Sequence, residues 1–301
     1  MHGLWISDPR QFVPANGQTW TTLHKLSSSH KNTWSQDPRD PRIWSFWTEP
    51  KVNPPFLPSK PKLFALSDYI DTKPPHQQFA IGQRAFILQT PGGNIMWDMI
   101  ANLDTDTVAR ISSTFSPLKA VVISHPHYYT TYASWSARLG VPVYIAADDK
   151  EWLCQQPPPP SGQGAVKLNL IEGSPGTKQE ILPDVTAIKT GGHFPGSLVL
   201  HWEKYLFIAD TIVTVPSAHT PSPRPPGQTT YAFQYSIPNA IPLDPDTIHV
   251  IWKAIRDLEF EATFGAFTGM EVRDKGLRGR MLESMKVQVR GMGWGGGGMG
   301  C

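Results

Sequence analysis

The chain has 301 residues, enough for one large domain or two small ones. Since 40% of the residues are hydrophobic and 17% are charged, we expect the chain to bury a substantial core. Its formal net charge of +2 comes from scattered basic residues, which excludes the concentrated basic surface typical of proteins that bind nucleic acid or anionic membranes. Only Cys154 and Cys301 are present, so a disulfide framework and a cysteine zinc module are excluded as well.

The N-terminus lacks the apolar core of a signal peptide, and no apolar run approaches the roughly 20 residues of a membrane span. We therefore expect a cytoplasmic protein. Its expected partner is a small-molecule substrate, with no nucleic acid and no membrane, and the sequence leaves the oligomeric state open.

The composition divides the chain into four segments. Residues 1–51 are polar and rich in tryptophan and proline, and we interpret them as an N-terminal arm that packs its tryptophans onto the main body. Residues 52–78 form a proline-rich insertion without a helix or strand pattern, which we expect to be disordered. The main domain spans 79–290, and 291–301 is a glycine-rich tail.

The insertion has two alternative origins. It begins with Val52 and ends with Gln78; valine codons begin with GT and one glutamine codon ends with AG, as the ends of a translated intron would. A genuine insertion is the other alternative. Sequencing the transcript across this stretch separates them, since a message that keeps the segment contradicts the intron hypothesis.

From Phe79 the pattern becomes regular. The predicted strands are 84–90, 95–100, 118–124, 141–147, 165–173, 185–192, 197–202, 205–215 and 260–267. The predicted helices are 103–115, capped by Asp104 or Thr105, then 134–140, closed by Gly140, and 247–259. A proline-rich loop is expected over 216–245. Strands that alternate with helices and then form hairpins indicate α and β elements that share one core.

Metal-capable side chains follow several of these strands. His125 and His127 end one of them, and residues two apart in extended backbone point the same way. His193, after a Gly-Gly pair, and Asp210 occupy similar positions on later strands. Neutral imidazoles with one carboxylate suit zinc or iron and leave a position for water. A metal held in this way lowers the pKa of bound water to about 7.

The motifs SHPHYY, GGHFPGS and FIADT, in this order and spacing, resemble the metallo-β-lactamase-fold hydrolases, in a subgroup with HPHYY in place of HxHxDH. The resemblance covers roughly residues 79–290 and implies an α+β fold, a four-layer αββα sandwich of metallo-β-lactamase type. It also implies that His125, His127 and His193 bind a first metal together with Asp210. Asp98 matches a family position that supports the fold rather than the metal.

The chain departs from the family at the second metal. Tyr129 and Thr130 stand where the family has Asp and His, and Phe264, Phe267 and Thr268 lie where its final histidine belongs. The resemblance therefore implies one ion, zinc or alternatively iron, rather than two. Tyr128 and Tyr129 either donate a hydrogen bond to a developing oxyanion or fill vacated space.

The sequence thus predicts a mononuclear metal-dependent hydrolase that uses an activated water on an ester, lactone, thioester or amide. Asp210, Tyr128 and Tyr129 are the predicted catalytic residues, with Asp210 orienting the water. The alternative is a catalytically inactive protein of the same fold that binds a ligand or partner through a degenerate metal site. An iron oxygenase is a third reading, because the ligand set also suits iron.

Overall fold

The computed structural model describes residues 8, 10–11, 20–51, 79–153, 166–220 and 223–294. This part of the chain falls into two compact units, the first ending at Ile171 and the second beginning at Glu172. The insertion predicted at 52–78 and most of the predicted tail, 295–301, lie outside the described residues. Within the described ranges, no helix combines the length and the apolar character that crossing a membrane requires.

The first unit is built on a seven-stranded sheet. Its strands are β1 His30–Gln36, β2 Ile43–Pro50, β3 Arg84–Thr90, β4 Gly93–Trp97, β5 Leu118–Val122, β6 Val143–Ala146 and β7 Leu168–Ile171. Neighbours in the sheet follow the order of the chain. The pairs from β1 to β4 are antiparallel, and those from β4 to β7 are parallel.

The helices of this unit are α1 Leu23–Ser29, α2 Thr105–Thr114 and α3 Tyr132–Leu139. Because parallel neighbours need a crossover, α2 connects β4 to β5 and α3 connects β5 to β6. The Asp104 side chain accepts a hydrogen bond from the Thr107 amide and caps α2. Gly140 ends α3 in the left-handed conformation. Both helix boundary signals in the sequence are confirmed.

Two strands of this sheet come from the segment predicted as an arm. In β2, Ile43–Trp47 pair with β3, and β1 pairs with β2. Trp34 stacks on Phe46 with ring centroids 4.2 Å apart and also lies against Phe115. Trp34 therefore packs as expected, although from a sheet whose strands were not predicted. Trp20 is 47% exposed, and Trp5 lies outside the described residues. The segment boundaries themselves stay predictions.

The second unit has a six-stranded sheet in the order β17-β16-β11-β10-β9-β8. Its strands are β8 Lys178–Leu182, β9 Val185–Lys189, β10 Leu198–Trp202, β11 Tyr205–Ala209, β16 Ala262–Gly265 and β17 Glu271–Arg273. Two small antiparallel pairs join β12 Val213–Thr214 to β13 Tyr231–Ala232, and β14 Gln234–Ser236 to β15 Ile241–Pro242. The predicted strands 197–202 and 205–215 form a hairpin, since β10 pairs with β11 and Glu203 between them has φ of +51°.

Two helices pack in this unit, α4 Pro245–Ile255 and α5 Leu277–Gly291. Its hydrophobic core combines residues of the sheet with one face of each helix, among them Val199, Leu206, Ile251, Trp252 and Met281. Apolar residues of α4 recur at helical spacing, which explains why this helix was predictable.

Several elements differ from the sequence prediction. The expected loop 216–245 contains the short strands β13, β14 and β15 and the beginning of α4. Helix α5 was not predicted, because only four of its fifteen residues, Leu277, Met281, Ser284 and Met285, are buried. Strand β8 was missed because it lies at the edge of its sheet and is largely exposed, so it lacks the apolar alternation that indicates a strand.

Candidate metal centre

The loop after β5 carries His125 and His127. His125 is extended, and Pro126 then begins a 3-10 turn, Pro126–Tyr128, that includes His127. From the sequence we expected the two side chains to converge through extended backbone at both positions. The convergence is confirmed but has another cause, since proline fixes its own φ and starts a turn that brings the second imidazole beside the first.

The two imidazoles of this loop meet through defined nitrogens. His125 Nε2 and His127 Nδ1 lie 3.2 Å apart, and both residues are buried. Two nitrogens that bind one tetrahedral zinc at about 2.0–2.1 Å each lie about 3.3 Å apart. The separation of these two nitrogens therefore fits a pair of ligands to one ion.

Asp98 supports the same loop from β4. It has φ of +57°, and its Oδ1 accepts a hydrogen bond of 2.7 Å from the backbone amide of Ser124. The Asp98 amide in turn donates to the carbonyl of Val122. These contacts fix the backbone just before His125, which agrees with the supporting position that the resemblance implies for Asp98.

The outward nitrogens of the pair are also engaged. Ser124 Oγ lies 2.8 Å from His125 Nδ1. His127 Nε2 lies 2.6 Å from Oδ2 of Asp8, a residue 119 positions earlier in the chain. When the outer nitrogen of an imidazole donates to a carboxylate, the inner nitrogen keeps the lone pair that a metal requires.

Asp8 is a residue that the sequence analysis missed. Its Oδ1 accepts hydrogen bonds from both the Nε and the backbone amide of Arg10. Burial alone raises the pKa of Asp8, but the hydrogen bonds from His127 and Arg10 outweigh it and hold the pKa well below its usual range. The sequence offered no signal for this contact, because nothing in a short polar stretch indicates a partner so far along the chain.

In the second unit, His193 lies in the loop between β9 and β10. Gly191 and Gly192 precede it with φ of +63° and +102°, conformations that glycine adopts without strain. His193 Nδ1 donates to the carbonyl of Gln234 at 3.0 Å. Its Nε2 is therefore the nitrogen with a lone pair for a metal. The glycine pair that the sequence analysis selected is required by the turn.

Asp210 follows β11 directly. The strand ends at Ala209, which has φ of +44°, and the Asp210 side chain is buried. The neighbouring Thr211 hydroxyl lies 3.4 Å from the carbonyl of Gly191. The two loops that carry His193 and Asp210 are thus in contact within the second unit.

The four predicted ligands form one group. Each of His125, His127, His193 and Asp210 offers one ligand atom, these atoms all lie within 4.8 Å of one another, and all four residues are buried. Three imidazoles and one carboxylate are a donor set that suits zinc or iron. The residues therefore fit a metal ion, while their role as ligands stays a prediction.

The tyrosines of the motif are both buried. The ring of Tyr128 packs edge-on against His125 at 4.6 Å. Tyr129 Oη has no hydrogen-bond partner within the described residues. Burial, and after it the charges of Asp149, Asp148 and Asp98, raises the pKa of Tyr129 well above its usual value. Its phenol therefore stays protonated at neutral pH.

Buried aromatic residues occupy two of the three positions that match the family's last histidine. Phe264 in β16 stacks on Phe207 in β11 with ring centroids 4.7 Å apart. The Arg273 guanidinium carbon lies over the Phe264 ring, 5.0 Å from its centroid. Phe267 is buried as well. Phe264 and Phe267 are thus buried in the second unit, whereas Thr268 is exposed.

Comparisons with known proteins agree with this architecture. No family model matches the chain. Among curated proteins, the chain is 29% identical over 270 residues to the uncharacterized protein YmaE of Bacillus subtilis strain 168. The aligned region covers 88% of this chain and 81% of YmaE.

Solved metallo-β-lactamases are similar in structure. The enzyme from Hirschia baltica matches with a TM-score of 0.50 and 13% identity over 85% of this chain and 97% of its own. The enzyme from Erythrobacter litoralis matches with a TM-score of 0.52 and 12% identity, over 85% of this chain and 96% of its own. FIM-1 from Pseudomonas aeruginosa in its mono-zinc form matches with a TM-score of 0.51 and 14% identity, over 88% of this chain and 97% of its own. The chain therefore has the metallo-β-lactamase fold, and the predicted fold class is confirmed.

Proposed function

We propose that this protein of metallo-β-lactamase fold is a metal-dependent hydrolase that uses a single divalent ion, zinc in the first place and iron as the alternative. His125, His127, His193 and Asp210 would hold the ion. The observation that carries the proposal is the convergence of these four buried side chains on one group of ligand atoms. The mono-zinc form recorded for FIM-1 is a precedent for one ion in this fold.

Hydrogen-bond contacts orient the three proposed histidine ligands. The outer nitrogens of the three histidines contact Ser124, Asp8 and the Gln234 carbonyl, which orients the inner nitrogens toward one point. When bound, a divalent metal supplies a water of lowered pKa and so a nucleophile at neutral pH. Asp210 would accept a hydrogen bond from the attacking water and orient it.

A neutral phenol is the proposed donor to the developing oxyanion. Tyr129 is supported by its raised pKa and by an Oη that lacks a partner among the residues described. Tyr128 is supported by its contact with His125. A protonated hydroxyl that donates no hydrogen bond to a protein acceptor can donate one to the substrate oxygen.

The proposed substrate is a small, partly apolar ester, lactone, thioester or amide. The β14–β15 pair provides the Gln234 carbonyl that holds His193. It also exposes Tyr235 and Ile241, at 41% and 45% of their surface. Apolar side chains beside a few polar groups are typical of small-molecule sites, and this pair supplies both.

Metal content is the first test. Elemental analysis of protein purified without added metal should find about one zinc per chain, and His193→Ala should remove it. His219→Ala is the matched control, because His219 is exposed in a 3-10 turn of the same unit and should leave the metal in place. Two ions per chain would contradict the mononuclear site.

Turnover separates the two candidate functions. Loss of ester or lactone hydrolysis in His125→Ala, with activity kept in His219→Ala, is expected for the hydrolase. A binding protein without catalysis is favoured by one observation, the replacement of the second metal's ligands by Tyr129, Thr130 and the stacked Phe264. A folded protein that contains no metal and turns over none of these substrates would contradict the hydrolase and favour that second reading.

A further inference from the structure

A short N-terminal stretch contacts one of the proposed ligands inside the first unit. We call Asp8, Arg10 and Gln11 the residue-8 clamp. Asp8 Oδ2 lies 2.6 Å from His127 Nε2, and Arg10 Nε lies 2.8 Å from Asp8 Oδ1. The motifs that identified the metal ligands do not include this stretch, and no role for it follows from the fold.

The contact is a buried and fully paired one. Asp8, Arg10 and His127 are 3%, 6% and 4% exposed. A buried carboxylate without partners is strongly unfavourable, so burial of this kind is sustained only by close partners of suitable charge and geometry. Asp8 has a guanidinium and a backbone amide on one oxygen and an imidazole on the other. Arg10 therefore holds the Asp8 carboxylate in place against His127.

The clamp determines which nitrogen of His127 carries the proton. A carboxylate accepts only, so His127 Nε2 must donate to Asp8. In the neutral imidazole the lone pair is then on Nδ1, and this is the nitrogen that lies 3.2 Å from His125 Nε2. Without Asp8, either tautomer is open to the ring, and only one of them presents a lone pair to the proposed ion.

Gln11 competes for the same lone pair. Its Nε2 lies 2.8 Å from His127 Nδ1 and 2.6 Å from Nε2. Because Nε2 already donates to Asp8 and cannot accept, only Nδ1 can accept from the Gln11 amide, and the 2.6 Å approach to Nε2 is a contact between two donors. The amide thus donates to the lone pair that a metal would use. Metal binding requires Gln11 to move away while Asp8 remains.

We propose that Asp8 is the positioning residue for the metal ligand His127, and that docking of the residue-8 clamp and metal binding favour each other. The inference rests on the proposed metal site. Its physical basis is linkage: if Asp8 strengthens metal binding by holding one tautomer, metal must strengthen the docking of Asp8 by the same factor. Gln11 opposes metal binding, because its amide lies against the same His127 nitrogen that the metal would use.

The first experiment reads the tautomer without any metal. Nitrogen-15 NMR of the His127 imidazole in metal-free protein, at a mildly alkaline pH where free imidazole is neutral, should show the Nε2–H tautomer. Asp8→Asn keeps an acceptor for Arg10 and for the imidazole, and should give a mixture of tautomers. If His127 in the protein without substitutions carries its proton on Nδ1, the proposal is wrong, whether or not the protein binds metal.

The second experiment measures zinc affinity by competition with a chromophoric chelator. Removing the partner of a metal-bound histidine typically weakens affinity about 10- to 100-fold. We expect a loss of that order for Asp8→Ala/Arg10→Ala, which leaves no unpaired buried charge, and a smaller loss for Asp8→Asn. Asp106→Asn, an exposed carboxylate in the first turn of α2, should bind zinc as the unchanged chain does. Gln11→Ala should bind zinc at least as tightly.

The outcomes separate the two proposals. If the unchanged chain binds zinc and the Asp8 variants match Asp106→Asn, the clamp inference is wrong and the metal site stands. If the unchanged chain binds no metal, the proposed function fails, and the tautomer measurement still decides whether Asp8 positions His127. Thermal unfolding of every variant confirms that a lost affinity is not a lost fold.

Discussion

The two loops that carry the proposed ligands are held in different ways. The His125–His127 loop of the first unit is supported by side chains of Asp98, Ser124 and Asp8. The His193 loop of the second unit is supported by backbone, through two glycines at positive φ and the Gln234 carbonyl. In the first loop Ser124 is a neighbour in the chain, whereas Asp98 and Asp8 come from a distance. In the second loop the two glycines are local and a sequence motif is enough to indicate them, whereas Gln234 lies 41 positions away.

The backbone-supported loop should be the more sensitive to a single methyl group. A Cβ at Gly192 would lie 2.9 Å from Ile251 Cδ1 and 3.2 Å from Thr211 Cγ2, in a backbone at φ of +102°. Crowding a packed core typically costs about 1–3 kcal/mol, and strained backbone costs a similar amount. We therefore expect Gly192→Ala to lower the free energy of unfolding by about 3 kcal/mol, measured by urea denaturation.

Gly140→Ala is the matched control. Gly140 also has positive φ, at +68°, but a Cβ there would meet nothing within 4 Å. Only the backbone cost remains, about 1 kcal/mol. Equal losses in the two variants would show that crowding does not contribute, and that the His193 loop has room to move.

The side-chain-supported loop should depend on Asp98. In Asp98→Ala the buried amide of Ser124 loses its acceptor, and an unpaired buried donor typically costs about 1–3 kcal/mol. We expect a loss near 2 kcal/mol in the free energy of unfolding for Ala. Asp98→Asn retains an oxygen acceptor and tolerates positive φ, so it should lose distinctly less. Equal effects of Ala and Asn would mean that this loop does not rely on the carboxylate.

The smallest effect is expected where support is local in both sequence and space. Asp244 caps α4 by accepting from the amide and hydroxyl of Thr247. Asp244→Ala should cost about 1 kcal/mol, as N-cap removals typically do. Asp244→Asn should cost a few tenths, since asparagine caps nearly as well.

The same residue gives a pH test. The side-chain hydrogen bond from Thr247, together with its amide, lowers the pKa of Asp244 below the ordinary value of 3.8. A lowered folded-state pKa contributes stability above about pH 4, and this contribution is lost as the pH falls through the lowered value. The acid limb of the unfolding profile should therefore be shallower in Asp244→Asn. Superimposable profiles would contradict the assignment.

The same contrast explains what the sequence could predict. The Gly-Gly-His turn, the Asp104 cap and the Gly140 stop are local signals, and each is in place. His125, His127, His193 and Asp210 were found because each follows a buried strand, and the metallo-β-lactamase resemblance related them to one another. The fold class followed from the same resemblance.

What the sequence could not predict depends on distant partners or on weak periodicity. Asp8 meets His127 across 119 positions, and no local pattern encodes such a pair. Strands β1 and β2 are rich in polar residues and tryptophans, so their alternation is weak. Helix α5 buries four residues at helical spacing, but one of them is Ser284 and most of the others in the helix are polar or glycine, so the apolar signal is weak.

The stacking of Phe264 on Phe207 has a consequence for the stability of the second unit. In the family pattern, a second metal would need a histidine near Phe264 and two more ligands at Tyr129 and Thr130. Replacing a buried aromatic ring by a smaller polar side chain typically costs several kcal/mol, and no single replacement restores a complete site. A change of Phe264 alone would therefore lower the stability of the second unit without completing that site.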